Sequence, residues 1–291
     1  MDQMKAVYVE QIRTAYPEMD LSDCRLDVSG QYNDVLFVNR AFVFRFPRFQ
    51  QGVVKMALET RLLTWLQGKL PLSVPNPCFQ YLDDPVPGKA FMGYAVIPGE
   101  TLTRERLGAL QGQTAWEKMA AQLGDFLRVL HGLDPADVGM DLPVQDDRAY
   151  WARMYAEIRQ LLFNAMRPDA RRAVSQHFEA YLDTIPSQPF TPCLRHGDFG
   201  AGNILYDPTE LAVSGVIDLG SAALGDPAAD LASFSCYGDD FLKAALAQYP
   251  TGAGMLDRAR FYRGTFALQE ALAGAKLHDR RAYEAGMAAY L

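Results

Sequence analysis

Three polar residues have the types and the spacing that phosphate chemistry requires. Asp198 precedes Asn203 by five residues in LRHGDFGAGNILYD, and Asp218 follows in VIDLGS. Asn203 and Asp218 each adjoin an apolar run with the composition of a β-strand. Hard oxygen donors of this kind suit Mg²⁺, which takes few protein ligands and leaves positions open for phosphates. Asp198 could then orient a substrate hydroxyl, a division of roles that is typical of phosphoryl transfer.

The elements that must position these residues begin with a strand-rich part that ends near residues 95–99. Its runs are short, aromatic and β-branched; AFVFRFP alternates three phenylalanines on one face with Val43 and Arg45 on the other. The Asn39-Arg40 step between two such runs predicts a hairpin turn. A helix near residues 2–16 and a second helix over QQGVVKMALETRLLTWLQGKL complete this part.

The chain beyond Gly99 has a helical pattern. Long stretches such as AWEKMAAQLGDFLRVLHGL and RAYWARMYAEIRQLLFNAM carry one apolar stripe each, as amphipathic helices do. The loop with Asp198 and Asn203 interrupts them, and LAVSGVIDLGS after it predicts two strands with a turn between them. The pattern therefore predicts a small sheet lobe, a hinge and a larger helical lobe.

Composition and charge exclude several classes of protein. The 291 residues are 49% hydrophobic and 22% charged, as in an ordinary globular protein. A net charge of −7 argues against a general affinity for nucleic acid. Neither a bilayer-spanning apolar run nor a signal peptide is recognisable, so we predict a cytoplasmic protein without a membrane partner.

The segment HGDFGAGNIL with VIDLG resembles the catalytic and metal loops of protein kinases, in the form used by the aminoglycoside phosphotransferase family. GDPAADLASF, VFRFPR, the LETRLL helix and MGYAVIPGE are also similar to that family. The resemblance implies an α+β, protein-kinase-like bilobal fold: a small antiparallel sheet lobe with one helix, and a larger, mainly helical lobe. Residues 1–97 would form the nucleotide-binding lobe, and residues 98–291 would carry the catalytic loop, the metal loop and the acceptor site.

The family pattern also implies roles for individual residues. Asp198 corresponds to the catalytic carboxylate, and Asn203 and Asp218 correspond to the Mg²⁺ ligands. Arg45 stands where such kinases usually place a lysine that contacts the nucleotide phosphates, with Glu59 as its ion-pair partner. Arginine grips phosphate differently from lysine, so this position departs from the pattern.

The rest of the nucleotide site is less marked in the sequence. The glycine-rich loop of protein kinases is reduced to DVSGQYNDV, in which Ser29 and Gly30 would cover the phosphates. At the hinge, Val96 and Ile97 would present backbone groups to a purine ring. Backbone contacts do not depend on side chains, so the donor can be ATP or GTP.

The acceptor is implied by the family and by the acidic balance of the chain. The resemblance predicts transfer of the γ-phosphate to a hydroxyl of an aminoglycoside, a polycationic small molecule. Asp239, Asp240 and Glu270 are the predicted carboxylates for its ammonium groups. Two alternatives are a kinase for another hydroxyl compound, such as a macrolide, choline or a metabolite, and a nucleotide-binding pseudokinase scaffold. The presence of all three loop residues argues against the pseudokinase.

Overall fold

The computed structural model describes residues 2–30, 32–184 and 190–291. They divide into two compact units, the first formed by Met1–Phe126 with Gly202–Ser221 and the second by Leu127–Ala201 with Ala222–Leu291. The predicted α+β class is confirmed, because both units combine helices with antiparallel strand pairs. The boundary that the sequence suggested, between residues 97 and 98, remains a prediction.

Five strands of the first unit form one antiparallel sheet. They are β1 (Cys24–Asp27), β2 (Asn33–Val38), β3 (Phe42–Pro47), β4 (Phe79–Tyr81) and β5 (Phe91–Ala95), in the spatial order β1-β2-β3-β5-β4. The predicted hairpin turn lies between β2 and β3. The Ala41 N–H closes this turn on the Val38 carbonyl over 3.0 Å, and its central residues Asn39 and Arg40 have φ values of +51° and +53°, as in the left-handed turns that hairpins favour.

Helices α1 (Asp2–Ala15) and α2 (Gln50–Leu66) belong to the same unit as this sheet. Tyr8 and Ile12 of α1 pack on the phenylalanine face of β3, and the rings of Tyr8 and Phe46 stack with centroids 4.1 Å apart. Glu59 of α2 reaches Arg45, which points away from the phenylalanines. The alternation in AFVFRFP thus separates an apolar face from a face with a buried charge.

The rest of the first unit contains the hairpin that carries two predicted site residues. Its elements include β6 (Glu100–Thr101), α3 (Arg104–Ala109) and most of α4 (Thr114–Gly132). Two strands after the loop, Ile204–Asp207 and Ala212–Val216, pair with each other, and the first of them pairs with β6. The predicted second strand of LAVSGVIDLGS is wrong, because the chain leaves the sheet after Val216 and Asp218 adopts a left-handed φ of +63°.

The second unit is mainly helical. Its helices include α5 (Arg148–Leu161), α6 (Pro168–Thr184), α7 (Ala228–Phe234), α8 (Asp239–Ala245), α9 (Met255–Leu277) and α10 (Arg280–Met287). A short antiparallel pair joins β7 (Cys193–Arg195) to a strand over Ala223–Gly225. In chain order the two strands of the hairpin are β8 (Ile204–Asp207) and β9 (Ala212–Val216), and the last strand is β10. Within the described ranges, every helix is too short or too polar to cross a bilayer.

An aromatic cluster forms much of the core of the second unit. Trp151 of α5 is fully buried and stacks on Tyr262 of α9 at 5.2 Å between centroids. Phe261 stacks on Tyr181 at 3.5 Å, and Phe178 packs against both α5 and α9. Large aromatic side chains bury much apolar area each, so this cluster fixes α5, α6 and α9 against one another.

Candidate active site

Asn203 and Asp218 lie at the same end of the β8–β9 hairpin. Ile204 pairs with Val216 across the two strands, and the Ile217 N–H donates to the Asn203 carbonyl over 2.9 Å. Asn203 therefore immediately precedes β8, and Asp218 lies two residues after the end of β9. Antiparallel pairing brings together two residues that are well separated in the sequence.

Asp218 is also joined to the Arg45–Glu59 pair of the same unit. Arg45 donates from Nη1 to Glu59 Oε1 over 2.6 Å and from Nη2 to Asp218 Oδ1 over 3.0 Å. The Arg45 and Glu59 side chains are 8% and 3% exposed, whereas that of Asp218 is 49% exposed. One guanidinium fork thus connects a buried carboxylate to a carboxylate that is open to solvent.

Burial and charge together set the protonation of this cluster. Burial opposes ionisation of the Arg45 guanidinium, but Glu59 and Asp218 more than offset that effect and raise its pKa. Tyr94 of β5 lies beside it, and burial raises the pKa of its hydroxyl to about 12. Sequence reasoning missed Tyr94, although its place on the strand was a usable signal: it pairs with Val43, on the same face of the sheet as Arg45.

The donor set of the hairpin end fits the predicted Mg²⁺. Asp218 offers a half-exposed carboxylate and Asn203 an amide oxygen, both hard ligands of the kind that Mg²⁺ prefers. Among the described residues no group of three or more His, Cys, Asp or Glu side chains could hold a metal ion. A site with few protein ligands agrees with the chemistry of Mg²⁺, which usually takes its remaining ligands from phosphates and water.

The predicted phosphate loop and the predicted hinge lie at opposite ends of the five-stranded sheet: the loop precedes β2, whose first residue pairs with the end of β3, and the hinge follows β5, whose last residue pairs with the start of β3. The Ser29 hydroxyl and backbone N–H both donate to Asp27 Oδ1, over 2.6 Å and 2.9 Å. A side chain at Gly30 would meet the Asn33 carbonyl at 2.7 Å, so the close turn there requires glycine. At the hinge, the Val96 N–H donates to the Ala41 carbonyl over 2.8 Å.

The next hinge residue leaves a donor available. Within the described part of the chain the Ile97 N–H makes no hydrogen bond, whereas its side chain packs over Gly215. Gly99 follows with φ +132°, where a Cβ would collide with the Tyr206 carbonyl at 2.7 Å. The hinge is therefore held in place from both sides, with the Ile97 amide as a candidate donor to a purine.

Asp198 belongs to the second unit and is exposed. Its backbone N–H donates to His196 Nδ1 over 3.2 Å, and its carbonyl accepts from the Gly200 N–H over 2.8 Å. Asp230 of α7 accepts the backbone N–H groups of His196 and Gly197, both over 2.8 Å. The loop that presents Asp198 is thus attached to α7 through its backbone.

Asp230 is unusual because its carboxylate is charged although the side chain is fully buried from solvent. Burial opposes its ionisation, but the hydrogen bond from His131 and the nearby positive charges lower its pKa to about 2. A carboxylate that accepts several hydrogen bonds stays ionised even when it is buried. It can therefore hold the His196–Gly197 backbone as an acceptor at any pH near neutrality.

The second unit contains two further buried ion pairs, and the sequence did not indicate which residues form them. Asp146 accepts from Arg195 Nε over 2.7 Å, and Arg258 donates through Nη2 to Asp226 Oδ1 over 3.1 Å. Asp226 also accepts the Ala228 N–H over 3.0 Å and so satisfies a backbone donor at the start of α7. The partners lie far apart in the sequence, so no local spacing reveals them.

The three carboxylates predicted for the acceptor are all exposed in the second unit. Asp239 and Asp240 begin α8, and Glu270 lies on α9. Asp239 lines a cavity of about 310 Å³ whose other charged side chains are basic: Lys243, Arg260 and Arg263. Their role in acceptor binding remains a prediction.

Replacing Arg45 with Lys should weaken nucleotide binding. A lysine ammonium is a single point charge and cannot reproduce the two-pronged contact with Glu59 and Asp218. The loss of one charge-assisted hydrogen bond corresponds to an increase of about tenfold in the KM for nucleotide. Steady-state kinetics measures this, with Arg258→Lys as the control for an Arg-to-Lys change in another buried ion pair. Equal KM values for Arg45→Lys and the wild type would contradict the role assigned to Arg45.

Comparison with known proteins places the chain among phosphotransferases. The model of the phosphotransferase enzyme family (APH) matches residues 23–262. A viomycin phosphotransferase from Streptomyces vinaceus is 33% identical over 274 residues, which cover 90% of either protein.

Solved structures with the same fold include the GDP and kanamycin complex of APH(2")-IIIa, with a TM-score of 0.86 at 23% identity, covering 97% of this chain and 96% of that one. A macrolide 2'-phosphotransferase, MphH from Brachybacterium faecium, has a TM-score of 0.73 at 20% identity, covering 99% and 98%. These similarities confirm the predicted protein-kinase-like fold. Because the family model spans most of the residues and the viomycin phosphotransferase aligns over nearly the whole length, the chain belongs to the phosphotransferase enzyme family.

Proposed function

We propose that this phosphotransferase is a small-molecule kinase that transfers the γ-phosphate of ATP or GTP to a hydroxyl of a polycationic antibiotic. The observation that carries the proposal is the connected set Glu59–Arg45–Asp218, with Asn203 at the same hairpin end. This set combines a buried cation with two hard oxygen donors, which is what a nucleotide with its metal requires. It occurs in a chain that matches the family over residues 23–262.

The nucleotide would be held by backbone and charge. The Ile97 amide would donate to the purine, and Arg45 would lie beside the phosphates while remaining paired with Glu59. Asn203 and Asp218 would hold Mg²⁺, which supplies neutralisation of the phosphate charge when it is bound. A scaffold without catalysis has no need of Asp218 beside Arg45 or of the exposed Asp198.

The chemical step would use Asp198. The acceptor hydroxyl oxygen attacks the γ-phosphorus, the bond from the γ-phosphorus to the bridging oxygen breaks, and the nucleoside diphosphate leaves with that oxygen. Asp198 orients the hydroxyl and accepts its proton, so the phosphorylated acceptor leaves without it. Only four residues separate Asp198 from Asn203, and this short loop would supply both the base and a metal ligand.

The nature of the acceptor is supported by the relative named for viomycin and by the acidic chain. The relative is 33% identical over 90% of both proteins, and the net charge here is −7. A polycationic acceptor is also what the family resemblance and the acidic balance implied, in the form of an aminoglycoside. Asp239, Asp240 and Glu270 are the proposed contacts for those charges.

A panel of acceptors tests the proposal. Nucleotide turnover should be measured with ATP and with GTP against viomycin, kanamycin, gentamicin, streptomycin, a macrolide and choline. We expect turnover with at least one of the polycationic antibiotics and a phosphorylated product in the mass spectrum. Turnover with the macrolide or choline alone would replace the proposed acceptor class, and no turnover with any of them would contradict the proposal.

The KM for the cationic antibiotic that serves as acceptor should rise with salt concentration and with removal of the predicted carboxylates. Screening limits the reach of such attraction to about 8 Å at physiological ionic strength. Asp239→Asn, Asp240→Asn and Glu270→Gln should each raise KM by roughly two- to fivefold, since single exposed ion pairs are weak. Asp183→Asn, an exposed carboxylate at the end of α6, is the matched control. A KM that is independent of salt and of all three changes would indicate a neutral acceptor.

A further inference from the structure

The attachment of the Asp198 loop to α7 continues beyond Asp230 to two side chains that the chemistry above does not use. His131 of α4 directs Nε2 to Asp230 Oδ2 over 3.0 Å, and its Nδ1 lies 2.5 Å from the Tyr249 hydroxyl. The His131 side chain is 6% exposed, and that of Asp230 is fully buried. Tyr249 lies between α8 and α9 and is also buried.

The chemistry of these groups fixes the direction of the hydrogen bond between His131 and Asp230. An ionised carboxylate can only accept, so His131 Nε2 must carry a proton and donate it to Asp230. His131 Nδ1 shares a second hydrogen bond with the Tyr249 hydroxyl, which holds the ring in this orientation. Three buried groups thus form a hydrogen-bonded chain of Tyr249, His131 and Asp230, and Asp230 holds the backbone of His196 and Gly197.

A cavity of about 370 Å³ borders this chain. Its lining includes His131, Tyr249, Cys193, Pro227 and Met255. If the His131 donor were lost, the buried Asp230 carboxylate would lack one of its hydrogen bonds, which is costly for a charge without solvent. Because the His131 ring lines this cavity and also bonds Asp230, removal of the ring would extend the open space to the carboxylate, which could then turn towards water and shift its bonds to His196 and Gly197.

We propose that His131, supported by Tyr249, is a positioning residue for phosphoryl transfer, acting through Asp230 on the loop that carries Asp198. This inference rests on the proposed function of Asp198 and extends it to a part of the second unit that does not touch substrate. The Asp230 carboxylate is the common member: it is bonded both to His131 and to the loop backbone two residues before Asp198.

The first measurement separates kcat from KM. His131→Ala should lower kcat by about 10- to 100-fold, because a displacement of about 1 Å in a reacting group can cost 10²-fold. The KM for nucleotide should stay within about twofold, since transition-state positioning and ground-state binding are separable. His177→Ala is the matched control: this half-buried histidine bonds the Phe261 carbonyl over 3.0 Å and packs against the rings of Phe178 and Phe261. Its kcat should remain near the wild-type value.

Rescue experiments distinguish positioning from general stability. Added imidazole should restore part of kcat to His131→Ala, because the cavity beside residue 131 gives it a route of entry. His131→Gln should retain more activity than His131→Asn, since only the longer amide reaches Asp230 with an N–H. Tyr249→Phe should lose little, and in combination with His131→Ala it should add nothing, because Tyr249 acts through the histidine.

Hydrogen exchange gives a readout that is independent of catalysis. The backbone amides of a peptide that contains His196 and Gly197 should exchange faster in His131→Ala than in the wild type. Their exchange rate in His177→Ala should equal that of the wild type. An active wild type with the same kcat and the same exchange in both alanine variants would overturn the inference. If His131→Ala does not fold, equal activity of His131→Gln and His131→Asn would overturn it as well. Absence of turnover in the wild type would contradict only the proposed function. The hydrogen-exchange comparison would still test whether His131 holds the His196–Gly197 backbone through Asp230.

Discussion

We expect Asp198→Ala to lower kcat by about 10²–10⁴-fold and to leave nucleotide binding nearly intact. The carboxylate is exposed and stands on a loop held by backbone bonds to Asp230, so its removal should not disturb the fold. Its two tasks, orienting the acceptor hydroxyl and taking its proton, are performed only as the transition state forms. Nucleotide affinity from calorimetry and kcat from product formation measure the two expectations separately.

The isosteric change Asp198→Asn is the stricter version of this experiment. It keeps the shape and one hydrogen-bonding oxygen but cannot accept the proton, so its kcat should fall nearly as far as that of the alanine variant. If either variant retained more than about a tenth of the wild-type kcat, the usual effect of removing a general base would be absent. Asp198 would then not be the base.

Asp218→Ala should abolish transfer and weaken the binding of the Mg²⁺-nucleotide. Two consequences combine here, because the same carboxylate is the predicted metal ligand and a partner of Arg45. Asp218→Asn separates them, since its amide oxygen can still accept from Arg45 but lacks the charge that attracts the metal. We therefore expect Asp218→Asn to be nearly as inactive as Asp218→Ala.

Asn203→Ala is the milder companion of these changes. Asn203 offers a neutral oxygen, so its loss should raise the Mg²⁺ concentration for half-maximal rate without abolishing turnover. Titration of activity with Mg²⁺ measures both positions on one scale. An Asp218 variant whose Mg²⁺ dependence matched that of the wild type would refute the assignment of the metal ligands.

Local periodicity predicted the elements of the sheet well. The alternation around Arg45 placed it opposite the phenylalanines, and Asn39-Arg40 was correctly predicted as a turn. The same alternation did not show that the Arg45 face is also buried, because that depends on α2 packing against it. Burial of both faces of a strand depends on tertiary packing, so the sequence of the strand alone does not show whether a helix covers its second face.

Contacts between distant parts of the sequence could not be predicted in the same way. Arg45 and Asp218 are 173 positions apart, and His131 and Tyr249 are 118 apart. The sequence shows that these residues are charged or polar, but their spacing does not indicate that they are in contact. The second strand predicted in LAVSGVIDLGS failed for a related reason: the left-handed backbone of Asp218 ends the sheet, and functional residues often adopt such conformations against their local preference.

The β8–β9 hairpin has a consequence for how related enzymes vary in length. Asn203 and Asp218 are brought together by the pairing of Ile204 with Val216, and the turn at residues 208–211 lies at the opposite end of the strands. Insertions in that exposed turn would lengthen the interval between the two residues without moving either side chain. One residue inserted between Val216 and Asp218 would instead lie between the rung and the carboxylate, and it would displace Asp218 from Asn203. Relatives of this site are thus better recognised by strand register than by a fixed count of residues between the two motifs.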